Sequence, residues 1–513
     1  MRTKKSLINL IVSLTIQLLN IVLQFGMRWV FIYFLKTEYL GLNGLFSNIL
    51  NMLSFAELGF GSAITFSLYK PLAEGNELIV SGIMNFFKKI YFLVGIFILI
   101  SGLMLSPFLS FFIKEIPDIA YIHLIFILWV INSSISYFWV YKATLIIADQ
   151  KKYIVDQITF IVKMITIILQ VILLFLYKNY ILYLATQILG TFSSNICISH
   201  YANKQYKFLR VNKEQKIDKD SLIEIKKNVT ATIMHKVGAV VIFSTDNILL
   251  SKFFGLLIVG IYSNYSLIIS TVTNFAGQIQ LSIVASVGNL GVNSSNEKKL
   301  EVFSKYYFIN FWVFTWTASC LLCLLNPFIK LWLGNEYTIS NFVVLIIISN
   351  YFLTGLRSAP ATFNNAFGLF WNTKFLPIVE SILNLCFSII FAKIFGYYGI
   401  FLGTFISSIL TGLWYEPYVL YKKGFDISPI HFIKIFSKYL SVAIFVIMIS
   451  FVISSGISYN GLFGFICKIF TLILLPNVLI VCIFHKTEEF KFYFEMILDF
   501  VNKKIGRKKN ASN

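Results

Sequence analysis

Apolar residues run through this chain in long uninterrupted stretches, and polar residues gather in the short gaps between them. Fourteen or so stretches are long enough to cross a hydrocarbon layer of about 30 Å as helices. Their limits are 7–35, 43–68, 88–113, 119–147, 154–177, 180–202, 228–253, 256–288, 303–328, 338–367, 373–394, 398–421, 433–457 and 461–485. None shows the short alternating pattern of a membrane β-barrel. The pattern predicts an all-α, polytopic membrane protein with about 14 transmembrane helices. The first stretch, Leu7 to Leu35, is too long for a signal-peptide core and lacks a small-residue cleavage pattern, so it reads as a retained helix.

Composition excludes a water-soluble fold. Of the 513 residues 58% are hydrophobic and 13% charged, where soluble domains carry about a quarter charged residues. The net charge of +20 would suit nucleic acid, but the Lys and Arg are spread over loops rather than gathered in one basic domain, so no nucleic-acid partner is expected. Alternate loops are rich in basic residues: Arg2, Lys4 and Lys5; Lys88 and Lys89; Lys151 and Lys152; Lys204 to Lys227; Lys298 and Lys299; Lys422 and Lys423; Lys503 to Lys509. The intervening loops are short and poor in them. That alternation places both termini in the cytoplasm of a multi-pass protein. Abundant Ile, Phe, Lys and Asn suit an AT-rich bacterial genome, and the bacterial cytoplasmic membrane is the expected location.

The longest polar stretch, "KQYKFLRVNKEQKIDKDSLIEIKKN", separates two similar halves. "KTEYLGLNGLFSN" (Lys36 to Asn48) matches "KFFGLLIVGIYSN" (Lys252 to Asn264) at constant offset: Lys36 with Lys252, Gly44 with Gly260, Ser47 with Ser263, Asn48 with Asn264. An even number of spans lies between them, so both halves share one orientation. The expected organisation is a six-helix lobe over 1–203, a cytoplasmic linker over 204–227, a second six-helix lobe over 228–424, two additional helices over 425–486 and a basic tail over 487–513. A central cavity lies between lobes of this kind.

Ionisable groups inside spans cost roughly 2.5–3.5 kcal/mol each on insertion scales and persist where they face protein or water. Here the cations are Arg28, Lys163, Lys236 (beside His235) and Arg357, and the acids are Glu57, Asp246 and Glu380. Two arrangements fit them: a tall, wet, cationic cavity, or structural pairs such as Arg28 with Asp246. Arg and Lys suit a diphosphate, Arg through its planar fork and Lys as a point charge. Tyr residues at span ends are interfacial anchors or stacking partners for sugars. Gly59 and Gly61 in "FAELGFGSA", Pro360, and Pro377 are candidate hinges, or close-packing positions in the case of the small residues.

No catalytic constellation emerges, so an enzyme is not expected. The five histidines are scattered without metal-ligand spacing, and the six cysteines, Cys320 and Cys323 among them, read as apolar packers, so no metal is expected. There is no Walker sequence and no cofactor motif. Net transport then draws on an ion gradient (Na+ or H+) or on the downhill fate of the substrate. Asp246 with Asn247, and Glu57, are the candidate ion-binding oxygens; Glu380 is a coupling or structural acid.

The opening segment through "FAELGFGSAITFSLYKPLAEGN", and the later "STDNILLS", resemble the Wzx-type polysaccharide repeat-unit flippases of the multidrug/oligosaccharidyl-lipid/polysaccharide exporter superfamily. The resemblance implies two six-helix lobes in a V shape plus two added helices. It implies a cationic cavity that carries an undecaprenyl-diphosphate-linked oligosaccharide to the outer leaflet by alternating access, for capsule, exopolysaccharide or O-antigen assembly. The motif acid is Asp246, and the cavity cations would be Arg28, Lys163, Lys236 and Arg357. A monomer is expected, working beside a polysaccharide polymerase and chain-length machinery. The rivals are a multidrug or other lipid-linked exporter of the same superfamily, which favours acidic cavity groups, and a membrane polysaccharide polymerase, which needs a catalytic outer loop.

Overall fold

The computed structural model describes residues 2–496 and 498, apart from 58–59, 116–118, 120, 220, 224, 226–228, 230–243, 294 and 458–460; side chains are also set aside at 2–11, 55–56, 62–63, 278–293 and 370. Every regular element among the described residues is helical. Among the described residues eleven helices are long and apolar enough to cross a membrane, twelve if one bent pair is a single span. The chain is a multi-pass membrane protein. Packing divides it into two units, Met1–Ser263 and Asn264–Asn513. The lobes expected from the sequence divide it by loops instead, at the linker.

The first unit contains α1 (Arg2–Phe34), α2 (Thr37–Leu53), α3 (Phe60–Glu74), α4 (Glu77–Leu105), α5 (Ile122–Tyr137), α6 (Val140–Ala148), α7 (Lys152–Tyr177), α8 (Tyr180–Gln205), a helix α9 over 244–254 and the start of α10 (Leu256–Asn293). Helix α4 is shared by two cores. One gathers Phe31, Phe46, Ile98, Phe126 and Leu184; the other gathers Ile64, Phe87, Tyr91, Leu145 and Ile198. Polar caps set the helix starts: Asn76 accepts from Ile79 N, and Asn179 accepts from Ile181 N and Leu182 N, which turns α7 sharply into α8.

Several predicted spans are not continuous helices. The span at 88–113 is interrupted by a 3-10 turn over Ser106–Phe108, and that at 398–421 breaks at Thr411. The span at 43–68 begins earlier, at Thr37, and breaks at a 3-10 turn over Ser54–Glu57 before α3. Ser54 Oγ donates to Asn51 O at 2.7 Å there, a local bond that competes with the helical ladder. The span at 119–147 is the bent pair α5–α6, turned by 40°. Of the span at 228–253 only Val229 and the end, α9, lie within the described residues.

The two matched stretches, on α2 and at the start of α10, pack against each other at glycines. Where α2 meets the start of α10, a side chain at Gly41 would collide with the carbonyl of Leu256, and one at Gly260 with the carbonyl of Thr37; Gly44 faces Val259. Membrane helices approach this closely only at small residues.

The second unit is built on α11 (Asn296–Trp332), with α12 (Asn341–Ala366), α13 (Leu376–Phe395), α14 (Tyr398–Leu410), α15 (Gly412–Val419), α16 (Ile430–Ser455) and α17 (Gly461–Phe484). Helices α13 and α14 form a tight hairpin, and α11 packs against α12, α16 and α17. Of the two additional helices, α17 is tied to α11 by Trp312 Nε1 donating to Asn477 Oδ1 at 2.6 Å and Trp316 Nε1 to Leu472 O at 3.1 Å. Tyr439 of α16 sits among the rings of Phe308, Phe311 and Phe484.

Candidate functional site

Helix α1 carries Ser13, Asn20 and Arg28 at near-heptad spacing, and α7 carries Asp156, Lys163 and Gln170 at seven-residue intervals. A spacing of seven is two helical turns, so each series forms one stripe. The stripes meet. Ser13 Oγ donates to Asp156 Oδ2 at 2.6 Å, and Lys152 Nζ joins the same oxygen at 2.8 Å. Lys163 Nζ donates to Asn20 Oδ1 at 2.8 Å. Gln170 Nε2 donates to Tyr183 O of α8 at 3.2 Å. The result is a polar seam along two membrane helices of the first unit.

Arg28 stands at the end of this seam, half-buried. Its Nη1 donates to Ser263 Oγ at 2.8 Å, and Ser263 donates in turn to Gly260 O at 2.7 Å, so the guanidinium is fastened to the close crossing of α2 and α10. Tyr183 lies within its electrostatic range. Beside it, Trp129 Nε1 donates to Tyr180 OH at 3.1 Å, and Tyr180 OH donates to Asn43 Oδ1. The partners found for Arg28 and Lys163 are thus neutral oxygens. No ion pair joins Arg28 to Asp246 among the described residues.

Asp246, on α9, lies within electrostatic range of Tyr262. The neighbouring Asn247 Oδ1 and Ser251 Oγ are buried with no hydrogen-bond partner among the described residues. Lys236 and Gly59 lie outside the described residues. Glu57 occupies the 3-10 turn, where Tyr91 OH donates to its Oε1 at 3.4 Å and the stacked Tyr137 lies close by. A side chain at Gly61 would press on the Tyr91 hydroxyl and touch Glu57 Oε1. Pro377 begins α13, where a missing N–H costs nothing, whereas Pro360 is buried inside α12.

The second unit holds a different cluster. Arg357 of α12 grips Glu380 of α13 with both terminal nitrogens, at 2.6 and 2.9 Å, and Nη1 also reaches Ser408 Oγ of α14 at 2.7 Å. Glu416 of α15 lies 3.6 Å from Arg357 Nε. Two carboxylates therefore face one guanidinium. Among the described residues the buried Glu416 Oε2 atom has no hydrogen bond, nor has Oδ1 of Asn364, whose Nδ2 donates to Glu416 O at 2.9 Å. Gly412 makes the room: a side chain there would overlap the guanidinium.

The four sequence-assigned cations are therefore not one group within either unit. Arg28 and Lys163 share a seam in the first unit, Arg357 is paired in the second, and Lys236 is undescribed. Sequence reasoning passed over Asp156, Gln170, Glu416 and Lys142, whose Nζ donates to Ser199 Oγ at 2.6 Å and Asn203 Oδ1 at 3.0 Å. Among the described residues no group of three or more His, Cys, Asp or Glu could hold a metal ion.

No protein-family model and no curated protein matches the sequence. Solved structures do match. A lipid II flippase MurJ in an inward closed conformation aligns at TM-score 0.66 and 14% identity, over 93% of this chain and 99% of that one. An inward-facing multidrug resistance MATE family transporter of the MOP superfamily aligns at TM-score 0.62 and 14% identity, over 79% and 96%. A mutant form of the Vibrio cholerae MATE transporter VcmN aligns at TM-score 0.59 and 12% identity, over 82% and 98%. The chain has the fold of these membrane flippases and transporters.

Proposed function

We propose that this protein is a flippase for lipid-linked oligosaccharides, carrying an undecaprenyl-diphosphate-linked repeat unit from the cytoplasmic to the outer leaflet of a bacterial membrane for capsule, exopolysaccharide or O-antigen assembly. The observation that carries the reading is the polar seam of the first unit. Arg28 and Lys163 are intramembrane cations held by neutral oxygens, so their charge stays available to an anion. A diphosphate crossing hydrocarbon unaided loses several kcal/mol for each unpaired polar group. Cations with hydroxyl and amide neighbours replace part of that solvation, while the polyprenyl tail stays in lipid.

In this reading alternating access moves the headgroup, as in other transporters built from repeated bundles. The second unit supplies a different function. With both carboxyls ionised, Arg357, Glu380 and Glu416 would carry one negative charge in excess, which a coupling H+ or Na+ neutralises in one state of the cycle. Coverage of nearly the whole MurJ chain, and of 93% of this chain against about four fifths for the MATE structures, supports lipid-linked cargo over drugs.

The test is leaflet-specific accumulation in cells. Arg28→Ala and Lys163→Ala should trap lipid-linked repeat units on the cytoplasmic face and deplete surface polysaccharide. Normal surface polysaccharide in both variants, or efflux of cationic dyes by the native protein, would move the reading to a drug exporter.

A further inference from the structure

We infer that the first unit carries a binding site for an anionic phospholipid headgroup, formed by Lys88, Lys89 and Lys213 and distinct from the polar seam. These lysines line a pocket of about 520 Å³ together with Asn85, Phe92, Phe138, Trp139 and Tyr141. Among the described residues no carboxylate lines it. Lys142 lies within electrostatic range of Lys88 and of Arg210, which adds to the positive field. None of these five cations takes part in an ion pair among the described residues. Like charges gathered in this way repel, and an anion relieves the repulsion.

The pocket is built rather than incidental. Asn85 Nδ2 donates to the carbonyls of Asn212 and Gln215 at 3.0 and 3.1 Å, which holds the linker, and with it Lys213, over α4. Gly82 lets the same linker come close, since a side chain there would strike the Lys216 carbonyl at 2.5 Å. Lys213 therefore has a fixed place opposite Lys88 and Lys89.

The same helix identifies the ligand as a lipid. Past Lys89, α4 presents Leu93, Phe97, Ile100 and Met104, all exposed, at spacings of three and four that form one stripe. From Lys89 to Met104 the rise is about 22 Å, enough to run an acyl chain through one leaflet of a layer about 30 Å thick. A basic pocket at one end of an apolar stripe matches a molecule with a phosphate at one end and a hydrocarbon tail. The aromatic lining suits the membrane–water interface. The alternation of basic loops puts this end on the cytoplasmic side, where anionic lipids are abundant. A glycan-bearing diphosphate would need more polar lining than these rings give.

The experiment uses the full chain in nanodiscs of mixed phosphatidylcholine and phosphatidylglycerol, with retained lipid identified by native mass spectrometry. The native protein should retain phosphatidylglycerol preferentially. Each Lys→Gln change at 88, 89 or 213 should lower that preference about fivefold, while Lys88→Arg with Lys89→Arg should keep it. Lys298→Gln with Lys299→Gln, at the exposed start of α11, should also keep it. A Lys88→Gln, Lys89→Gln, Lys213→Gln variant with native preference would overturn the site. So would selective retention of an added polyprenyl diphosphate in place of phosphatidylglycerol, which would assign the pocket to the transported lipid. The readout involves no transport, so it succeeds or fails independently of the flippase reading.

Discussion

Arg357 and Glu380 form a two-pronged ion pair inside the second unit, with Nη1 on Oε1 at 2.6 Å and Nη2 on Oε2 at 2.9 Å. Glu416 approaches the same guanidinium, but its Oε2 makes no hydrogen bond. The three residues sit on three helices, so the cluster ties α12, α13 and α15 together. Removing one partner of a buried pair leaves an uncompensated charge, which costs about 3–5 kcal/mol.

That asymmetry orders the effects of substitution. Arg357→Ala strands two carboxylates and should be the most destabilising, by about 3–5 kcal/mol. Glu380→Gln leaves one Arg facing one Glu and should cost less. Glu416→Gln should cost least. Thermal unfolding of the purified protein in detergent checks the order; a stable Arg357→Ala protein would contradict it.

Gly412 should behave as a part of the same cluster. Its missing side chain is the space that the guanidinium fills. Gly412→Ala must displace Arg357 from Glu380 or shift α15, an overpacking cost of about 1–3 kcal/mol. The same thermal assay reads it, and the loss should shrink in an Arg357→Ala background because the two changes share one contact.

Arg28 should show the opposite profile. Its partner is the Ser263 hydroxyl, so Arg28→Ala leaves no buried carboxylate behind. The protein should fold with modest loss of stability, about 1 kcal/mol for one hydrogen bond, yet lose transport. Arg28→Lys keeps the charge without the fork and should restore part of it. Unfolding of Arg28→Ala on the scale of Arg357→Ala would show that Arg28 is structural.

The α2–α10 crossing gives a steric test. Gly41→Val should abolish accumulation of folded protein, since Leu256 opposes it with backbone atoms that cannot rotate away. Gly26→Val, on α1 with nothing within 4 Å of the added carbon, should be tolerated. Yield of monodisperse protein distinguishes them.

Much of the fold was legible in the sequence because the bilayer imposes length and polarity on each helix. The break in the second span was not legible in the apolar run, which argued for continuity; it falls at Ser54–Glu57, where the Ser54 hydroxyl takes a local backbone bond. The close crossing at Gly41 and Gly260 was not legible in the sequence, where only Gly44 and Gly260 stood out as a matched pair. Partners were harder to see. Asn20, Ser263 and Ser408 are neutral and carry no charge signal, and which helices adjoin is a property of the packed unit. Asp156 and Glu416 lie near the ends of their runs, where a charge is inexpensive and reads as interfacial. The heptad Asp156–Lys163–Gln170 was present in the sequence, but only pairing with α1 gives it meaning.

The central claim is movement of a lipid-linked oligosaccharide with the help of Arg28 and Lys163. The direct measurement is the rate at which a polyprenyl-diphosphate oligosaccharide, loaded in one leaflet of sealed proteoliposomes, becomes accessible to an impermeant sugar-modifying enzyme on the other side. The native protein should raise that rate well above protein-free vesicles, and Arg28→Ala with Lys163→Ala should return it to the background. A native protein that leaves the rate at background, or a double variant that keeps the native rate, would contradict the account.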